Sequence, residues 1–152
     1  MTVSQTRAPA GDSPASARPG ARPGRDATAY VVALPAGLPL LNANRSRREH
    51  WATVRRTAKA IREAACVVAR SQRIPLIERA RIVYVIHPSP QTRKRDPGNW
   101  AESAKAAVDG LVDAGIFEDD NSDHVIGPDP RLGEPVKGGQ LVLHIIPEGG
   151  TS

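Results

Sequence analysis

Hydrophobic residues along the chain form four short runs that predict β-strands. These runs are rich in Val, Ile and Leu and cover residues 30–35, 79–87, 124–127 and 140–146. Residues 82–86 are apolar without interruption, which predicts burial on both faces of a sheet. Turn-forming Pro, Gly and Asn predict loops at residues 36–44 and 128–139.

Two longer stretches repeat their apolar residues with the period of an amphipathic helix. In the first, predicted from about residue 47 to 71, the stripe consists of Trp51, Val54, Ala58, Ile61, Ala65 and Val68. In the second, it consists of Trp100, Ala104, Ala107, Val108, Leu111 and Val112, and Gly115 is placed to end the helix. The order β-α-β-α-β-β predicts an α/β (α+β) fold, in which two main helices pack on a single mixed sheet of about four strands.

Composition places this domain at residues 29–148 and separates it from the beginning of the chain. Residues 1–28 are rich in Pro, Gly, Ala, Ser and Arg, and we expect them to be disordered because they bury too little apolar surface. The single cysteine, Cys66, excludes an internal disulfide, is expected to be a packed thiol, and fits a reducing cytoplasm. No run is apolar and long enough to span a bilayer, and a signal-peptide core is lacking, so we expect a cytoplasmic protein.

Charge favours a polyanionic partner, of which nucleic acid is the commonest. The net charge is +5 among 152 residues, and arginines crowd the predicted first helix and the loop before residue 96. Because the arginine fork suits phosphate oxygens, these residues are predicted to contact DNA; a solvated helix face is the alternative. The predicted DNA-binding residues are Arg45, Arg48, Arg55, Arg56, Lys59, Arg62, Arg93, Lys94 and Arg95.

Acidic residues are concentrated in residues 96–120, which open with Asp96 in a Pro/Gly turn and close on the pair Asp119–Asp120. If the two ends fold towards each other, their carboxylates could hold Mg²⁺, which usually takes only one or two of them. Lys105, the single basic residue of the segment, could then stabilise charge that develops on a phosphate.

Each of these residues also has a structural interpretation. Asp96 before Pro97 is a typical helix N-cap, and Asn99 with Glu102 is a possible capping pair. Lys105 can pair with Glu102 or Asp109 along one helix face. Asp119, Asp120 and Asn121 can form an ordinary polar turn.

The order of these residues resembles the RusA family of Holliday-junction resolvases. The main likeness lies in residues 93–127, RKRDPGNWAESAKAAVDGLVDAGIFEDDNSDHVIG. The family signature is an Arg-Asp-x-Asp-Asn turn, a lysine in the next helix, Asp-(Gly/Ala)-Leu near its end, Ala-Gly and an Asp-Asp pair. Residues 40–44 with Arg48, His50 and Trp51, and residues 135–143, resemble the family more weakly. The resemblance covers about residues 29–147.

The resemblance implies a small α/β homodimer that binds four-way DNA junctions and nicks paired strands with Mg²⁺ in recombination and repair, often encoded by phages or prophages. By position, Asp96 and Asp120 match the catalytic, metal-binding aspartates. Lys105 matches the essential lysine, although the sequence spacing from Asn99 to Lys105 is longer than in the best-known resolvase. Asn99 matches the asparagine of the turn.

One position departs from the family pattern, because Gly98 stands where the turn has a second aspartate. Glu102 or Asp119 could replace that carboxylate as a metal ligand. Three hypotheses therefore remain: a metal-dependent structure-specific endonuclease, a junction-binding relative without cleavage, and a protein-interaction module whose basic helix pairs with an acidic partner.

Overall fold

A computed structural model of the chain describes residues 29–46 and 49–148. The predicted disorder of residues 1–28 and the predicted DNA contact of Arg48 lie outside the described residues. In chain order the elements are β1 (Tyr30–Ala33), α1 (Ala43–Ser46), α2 (Trp51–Ser71), β2 (Ala80–His87), a 3₁₀ turn (Pro97–Trp100), α3 (Ala101–Asp113), β3 (Val125–Leu132) and β4 (Gln140–Pro147).

The strands form one mixed sheet in the order β1-β4-β2-β3. Strand β4 is antiparallel to both β1 and β2, whereas β2 and β3 run parallel and are joined through α3. The predicted class, a single mixed four-stranded sheet with two main helices, is confirmed.

The helices cover one face of the sheet, where the core lies. In β2 the side chains of Ala80, Ile82, Tyr84 and Ile86 are buried, while the alternate residues are only partly buried. The prediction that residues 82–86 are buried on both faces is therefore wrong, because the described helices leave the second face uncovered.

The predicted helical stripes are largely confirmed. In the second stripe, which begins at Trp100 in the 3₁₀ turn and continues through α3, every residue is buried except Val112, which is partly buried against the core. In α2 the stripe is wrong at Trp51, whose surface is 63% exposed. The fully buried residues of α2 lie between Ile61 and Ala69, whereas Val54 and Ala58 are only partly buried against the core.

Several predicted boundaries also change. Helix α2 begins at Trp51 rather than at 47, with the imidazole of His50 accepting the Ala52 N–H, and part of the predicted loop 36–44 belongs to α1. Strand β3 extends to Leu132 instead of ending at 127, so the predicted loop 128–139 is too long. The prolines in β3 argued for a loop, but β3 is an edge strand, where a missing N–H is tolerated.

Two features fix α3 in its place. Gly115, at φ +84°, donates to Val112 O and Ile116 N–H donates to Leu111 O, which is the predicted glycine stop of the helix. Gly110 faces α2 so closely that a Cβ atom there would overlap the backbone carbonyl of Arg62.

Cys66 is buried and free, as predicted. Among the described residues, no helix combines the length and the apolarity needed to cross a membrane.

Candidate nucleic-acid interface and acidic site

A groove of about 510 Å³ runs between α2 and α3, and most of its polar lining is positively charged. Four of the predicted DNA-binding residues lie along it: spacings of four and three place Arg55, Lys59 and Arg62 on one side of α2, and Arg56 is next to Arg55. The aromatic ring of Trp51 lies at the same surface, while Asp109 contributes the acidic side chain from α3. The lining residues are Trp51, Ala52, Arg55, Arg56, Ala58, Lys59, Arg62, Ala106 and Asp109.

Arg62 also holds the two helices together. Its Nε and Nη2 atoms donate to the two carboxylate oxygens of Asp113 at 2.5 and 2.8 Å, and Arg70 donates to the Asp113 backbone oxygen. This bidentate pair lowers the pKa of Asp113 and raises that of Arg62. Arg62 is therefore committed to α3, and Arg55, Arg56 and Lys59 are the groove cations better placed to meet a ligand.

The remaining predicted DNA-binding residues lie elsewhere. Arg93 and Arg95 line a second hollow of about 700 Å³ formed by residues 90–95, and Lys94 is exposed beside them. Arg95 donates to the backbone oxygens of Thr92 and Pro90, so it shapes this loop. Arg45 is exposed in α1.

The acidic segment closes around Lys105. The Lys105 Nζ atom donates to Asp120 Oδ2 at 2.5 Å and to Asp109 Oδ1 at 2.9 Å. These hydrogen bonds raise the pKa of Lys105, and the bond from Lys105 is the main reason that the pKa of Asp120 is lowered. Because Asp109 also lines the groove, this acidic site borders the basic surface of α2.

Asp119 has a different environment from Asp120. Its carboxylate accepts the Asp120 N–H at 2.7 Å and the Asn121 side-chain amide at 3.2 Å. Asn121 in turn accepts the Asp123 N–H at 2.9 Å. The polar-turn interpretation is confirmed for Asp119 and Asn121, and Asp120 is the member of the pair that reaches Lys105.

Asp96 caps the 3₁₀ turn at the beginning of the segment. Its Oδ1 atom accepts the Gly98 N–H at 3.0 Å and Pro97 follows as the first residue of the turn, which confirms the N-cap interpretation. The hydroxyl of Tyr84 donates to the Pro97 carbonyl at 2.8 Å. Burial raises the pKa of Tyr84, and the nearby charge of Asp96 raises it further.

The capping pair predicted between Asn99 and Glu102 is wrong. Asn99 lies inside the 3₁₀ turn, where its N–H donates to the Asp96 carbonyl, and the N-cap of α3 is Trp100, without a side-chain hydrogen bond. Glu102 is exposed in the first turn of α3. The reason is that the 3₁₀ turn continues directly into α3. The side chain of Asp96 caps the turn, and α3 has no side-chain cap of its own.

The predicted metal ligands fall in two places on the segment. Asp96 and Glu102 lie at its beginning, while Asp119 and Asp120 lie in the loop after α3. Over residues 29–46 and 49–148, no three His, Cys, Asp or Glu side chains form a group that could hold a metal ion. Asp109 was predicted only as a surface partner of Lys105; the signal for its place in the site was its position four residues after that lysine in a helix.

Gly98 occupies a position that has room for a side chain. A Cβ atom there would lie 3.4 Å from Asp96 Oδ1, which is an ordinary contact, and the φ angle of Gly98 is not positive. An aspartate at this position would therefore stand beside Asp96.

Comparison with models of protein families gives no match for this chain, and comparison with curated proteins gives none either.

Proposed function

We propose that this protein is a Mg²⁺-dependent, structure-specific endodeoxyribonuclease that acts as a cytoplasmic homodimer on four-way DNA junctions in recombination and repair. One observation carries the proposal: the basic groove of α2 meets the cluster of Lys105, Asp109 and Asp120 at Asp109. A phosphodiesterase needs these two features side by side, because the DNA backbone must be held where its phosphate is attacked.

The groove supplies the DNA contacts. Arg55, Arg56 and Lys59 lie on exposed positions of a 21-residue helix, whose length is about 30 Å. Guanidinium groups donate in a fork that matches phosphate oxygens, and such contacts position the duplex without reading its sequence. Arg93 and Lys94 offer a second contact on the loop that precedes Asp96.

The residues around Lys105 meet the minimum that Mg²⁺ requires. Asp109 and Asp120 both approach one cationic group, and Mg²⁺ commonly takes one or two carboxylates and completes its shell with water and phosphate oxygens. The resemblance adds Asp96 to this set. When bound, the ion would supply Lewis-acid polarisation of the phosphate. Lys105 lowers the pKa of Asp120, and in this proposal its ammonium group would stabilise negative charge on the phosphate.

A homodimer follows from the substrate. A four-way junction has two-fold symmetry, so two symmetric nicks are made most directly by a two-fold protein. Sedimentation equilibrium should give twice the chain mass of 16.2 kDa.

Cleavage of a labelled four-way junction tests the nuclease proposal. With Mg²⁺ the protein should introduce symmetric nicks, and Asp120→Asn should abolish them because it removes the charge that faces Lys105. Asp123→Asn is the matched control, since Asp123 is an exposed aspartate of the same loop. Absence of nicking with every divalent metal tried would refute the enzyme.

A second candidate function is junction binding without cleavage. It is favoured by Gly98, which lacks the carboxylate of the RusA-like turn, and by the absence of a three-carboxylate group among the described residues. In this case junction binding should survive both Asp96→Asn and Asp120→Asn.

The substitution Gly98→Asp separates the two candidates, because the new carboxylate would lie beside Asp96. A large gain in nicking would identify a decayed site. Unchanged or reduced nicking would identify a site that works without that carboxylate, and no nicking in either protein would leave junction binding as the function. Gly98→Ala is the control for the side chain alone.

A further inference from the structure

The indole of Trp51 is exposed at the first residue of α2, where the helical pattern predicted a core position. Its surface is 63% exposed, whereas the other tryptophan of the chain, Trp100, is 6% exposed. A single exposed apolar residue is common and carries no function by itself. Trp51 differs from such a residue in the side chains that surround it.

Trp51 belongs to a small aromatic and cationic cluster on the surface. The His50 imidazole stacks on the indole, with ring centroids 5.4 Å apart and planes inclined by 28°. The guanidinium carbon of Arg55 lies 5.3 Å from the indole centroid, which is a cation–π distance. With both neighbours in place Trp51 is still 63% exposed, so part of the indole surface is left for a ligand.

The same indole lines the groove that carries Arg55, Arg56 and Lys59. A ligand that satisfies this surface must offer negative charge to the cations and a flat face to the ring. A nucleotide does both, since its phosphate suits the arginines and every base has a π-face. In a continuous duplex each base is already stacked between its neighbours, so the base that reaches Trp51 must be unpaired or turned out of the stack.

We infer that Trp51 is a stacking platform for an unpaired DNA base whose backbone phosphates lie on Arg55, Arg56 and Lys59. This inference rests on the proposed action on DNA. It adds that the groove recognises an unpaired base of the substrate. Branched DNA supplies such bases where its arms meet or fray, and single strands supply them throughout. The platform therefore makes the protein prefer DNA with unstacked bases to fully paired DNA.

The inference is tested by measuring the affinity of three protein variants for three DNA probes. The protein variants are wild type, Trp51→Ala and Trp51→Phe, and the probes are a thymidine oligonucleotide, an abasic oligonucleotide of equal length and a paired duplex, all at one salt concentration. Trp51→Ala should weaken binding of the thymidine strand by about 5- to 150-fold, the range measured for loss of one stacked base. It should change binding of the abasic strand and of the duplex less than about twofold, and Trp51→Phe should lie between wild type and Trp51→Ala.

Val67→Ala is the matched control, because Val67 is a 66% exposed apolar residue of the same helix that does not line the groove. Circular dichroism and the melting temperature should be alike in all variants, since Trp51 is outside the core.

Three results would overturn the platform. Unchanged binding of the thymidine strand by Trp51→Ala would show that no base stacks there. Equal losses on the thymidine and abasic strands would show that Trp51 acts on the phosphate contacts alone. If wild type binds none of the probes in a salt-sensitive way, the proposed action on DNA fails and the inference fails with it, which separates that outcome from the first two.

Discussion

At the residue scale, Lys105 and Asp120 form the ion pair on which the acidic site depends. Lys105→Met removes the ammonium group, so the pKa of Asp120 should rise towards that of an ordinary aspartate, about 3.9. An NMR titration of the Asp120 side-chain carboxyl measures this shift. The substitution should also reduce nicking of a four-way junction, because Asp120 loses its positioning partner.

Lys137→Met is the control for this titration, because Lys137 is an exposed lysine in the loop before β4, whereas Asp120 lies in the loop after α3. An Asp120 pKa that does not move in Lys105→Met would contradict the ion pair. The pair is partly exposed, so its effect on the free energy of unfolding should be below about 1 kcal/mol.

The Lys105–Asp120 pair should lose its small contribution to the free energy of unfolding at both low and high pH. The folded-state pKa of Asp120 is lowered, so its share of the stability is present above the unfolded-state pKa and is lost as the pH falls through the folded value. The pKa of Lys105 is raised, so its share is present below the unfolded-state pKa and is lost as the pH rises through the folded value. The pair is therefore intact throughout the neutral range.

The sequence predicts only part of this site. Lys105 and Asp109 are four residues apart in a helix, and that local spacing predicted Asp109 as one of two possible partners, with Glu102 as the other. The contact of Lys105 with Asp120 depends on how the loop after α3 returns to the helix, which no local rule supplies. The exposure of Trp51 was also unpredictable, since helical periodicity shows which face is apolar and not where the core ends along the helix.

At the element scale, the packing of α2 on α3 holds the groove in shape. Gly110 lies where the two helices approach most closely, because a Cβ atom at this position would overlap the Arg62 carbonyl and lie 2.9 Å from the Ala65 Cβ. Gly110→Ala gains up to about 1 kcal/mol of helix propensity, but overpacking costs about 1–3 kcal/mol. We expect a net loss of about 1–2 kcal/mol in the free energy of unfolding, measured by urea denaturation.

Gly98→Ala is the control for this measurement, because its Cβ atom would meet nothing closer than 3.4 Å and its φ angle is not positive. It should change the free energy of unfolding by less than about 0.5 kcal/mol. If Gly110→Ala is as stable as the wild type, the helices are not in the close contact described here.

The elements themselves were predictable because their signals are local. The order of the strands and main helices, the glycine stop at Gly115 after α3 and the burial of its stripe follow from periodicity and turn chemistry. Strand β3 was predicted too short because its prolines argue against a central strand, whereas its place at the sheet edge is a property of the whole topology. The partial burial of every second residue in β2 likewise depends on the number of helices packed on the sheet.

At the scale of the whole molecule, positive and negative charge are divided between two helices that face each other. Helix α2 presents Arg55, Arg56 and Lys59, while α3 and its following loop present Asp109 and Asp120. A net charge of +5 attracts a polyanion over a distance, and the position of the basic side chains on α2 determines where the polyanion binds. The acidic site is then brought to the DNA by the cations around it, against its own repulsion of phosphate.

This division predicts how junction binding responds to salt. Each phosphate neutralised by a basic side chain releases counterions, so the logarithm of the binding constant falls with the logarithm of the salt concentration by about 0.9 per contact. Replacing Arg55, Arg56 or Lys59 by Ala should therefore make the slope shallower by about 0.9 for each residue removed, whereas Arg79→Ala, an exposed arginine away from the groove, should leave it unchanged. Fluorescence anisotropy of a labelled junction at several salt concentrations gives the slopes. Equal slopes in the groove and control variants would place the DNA elsewhere on the protein, and a wild-type slope near zero would favour an acidic protein partner for α2 instead of DNA.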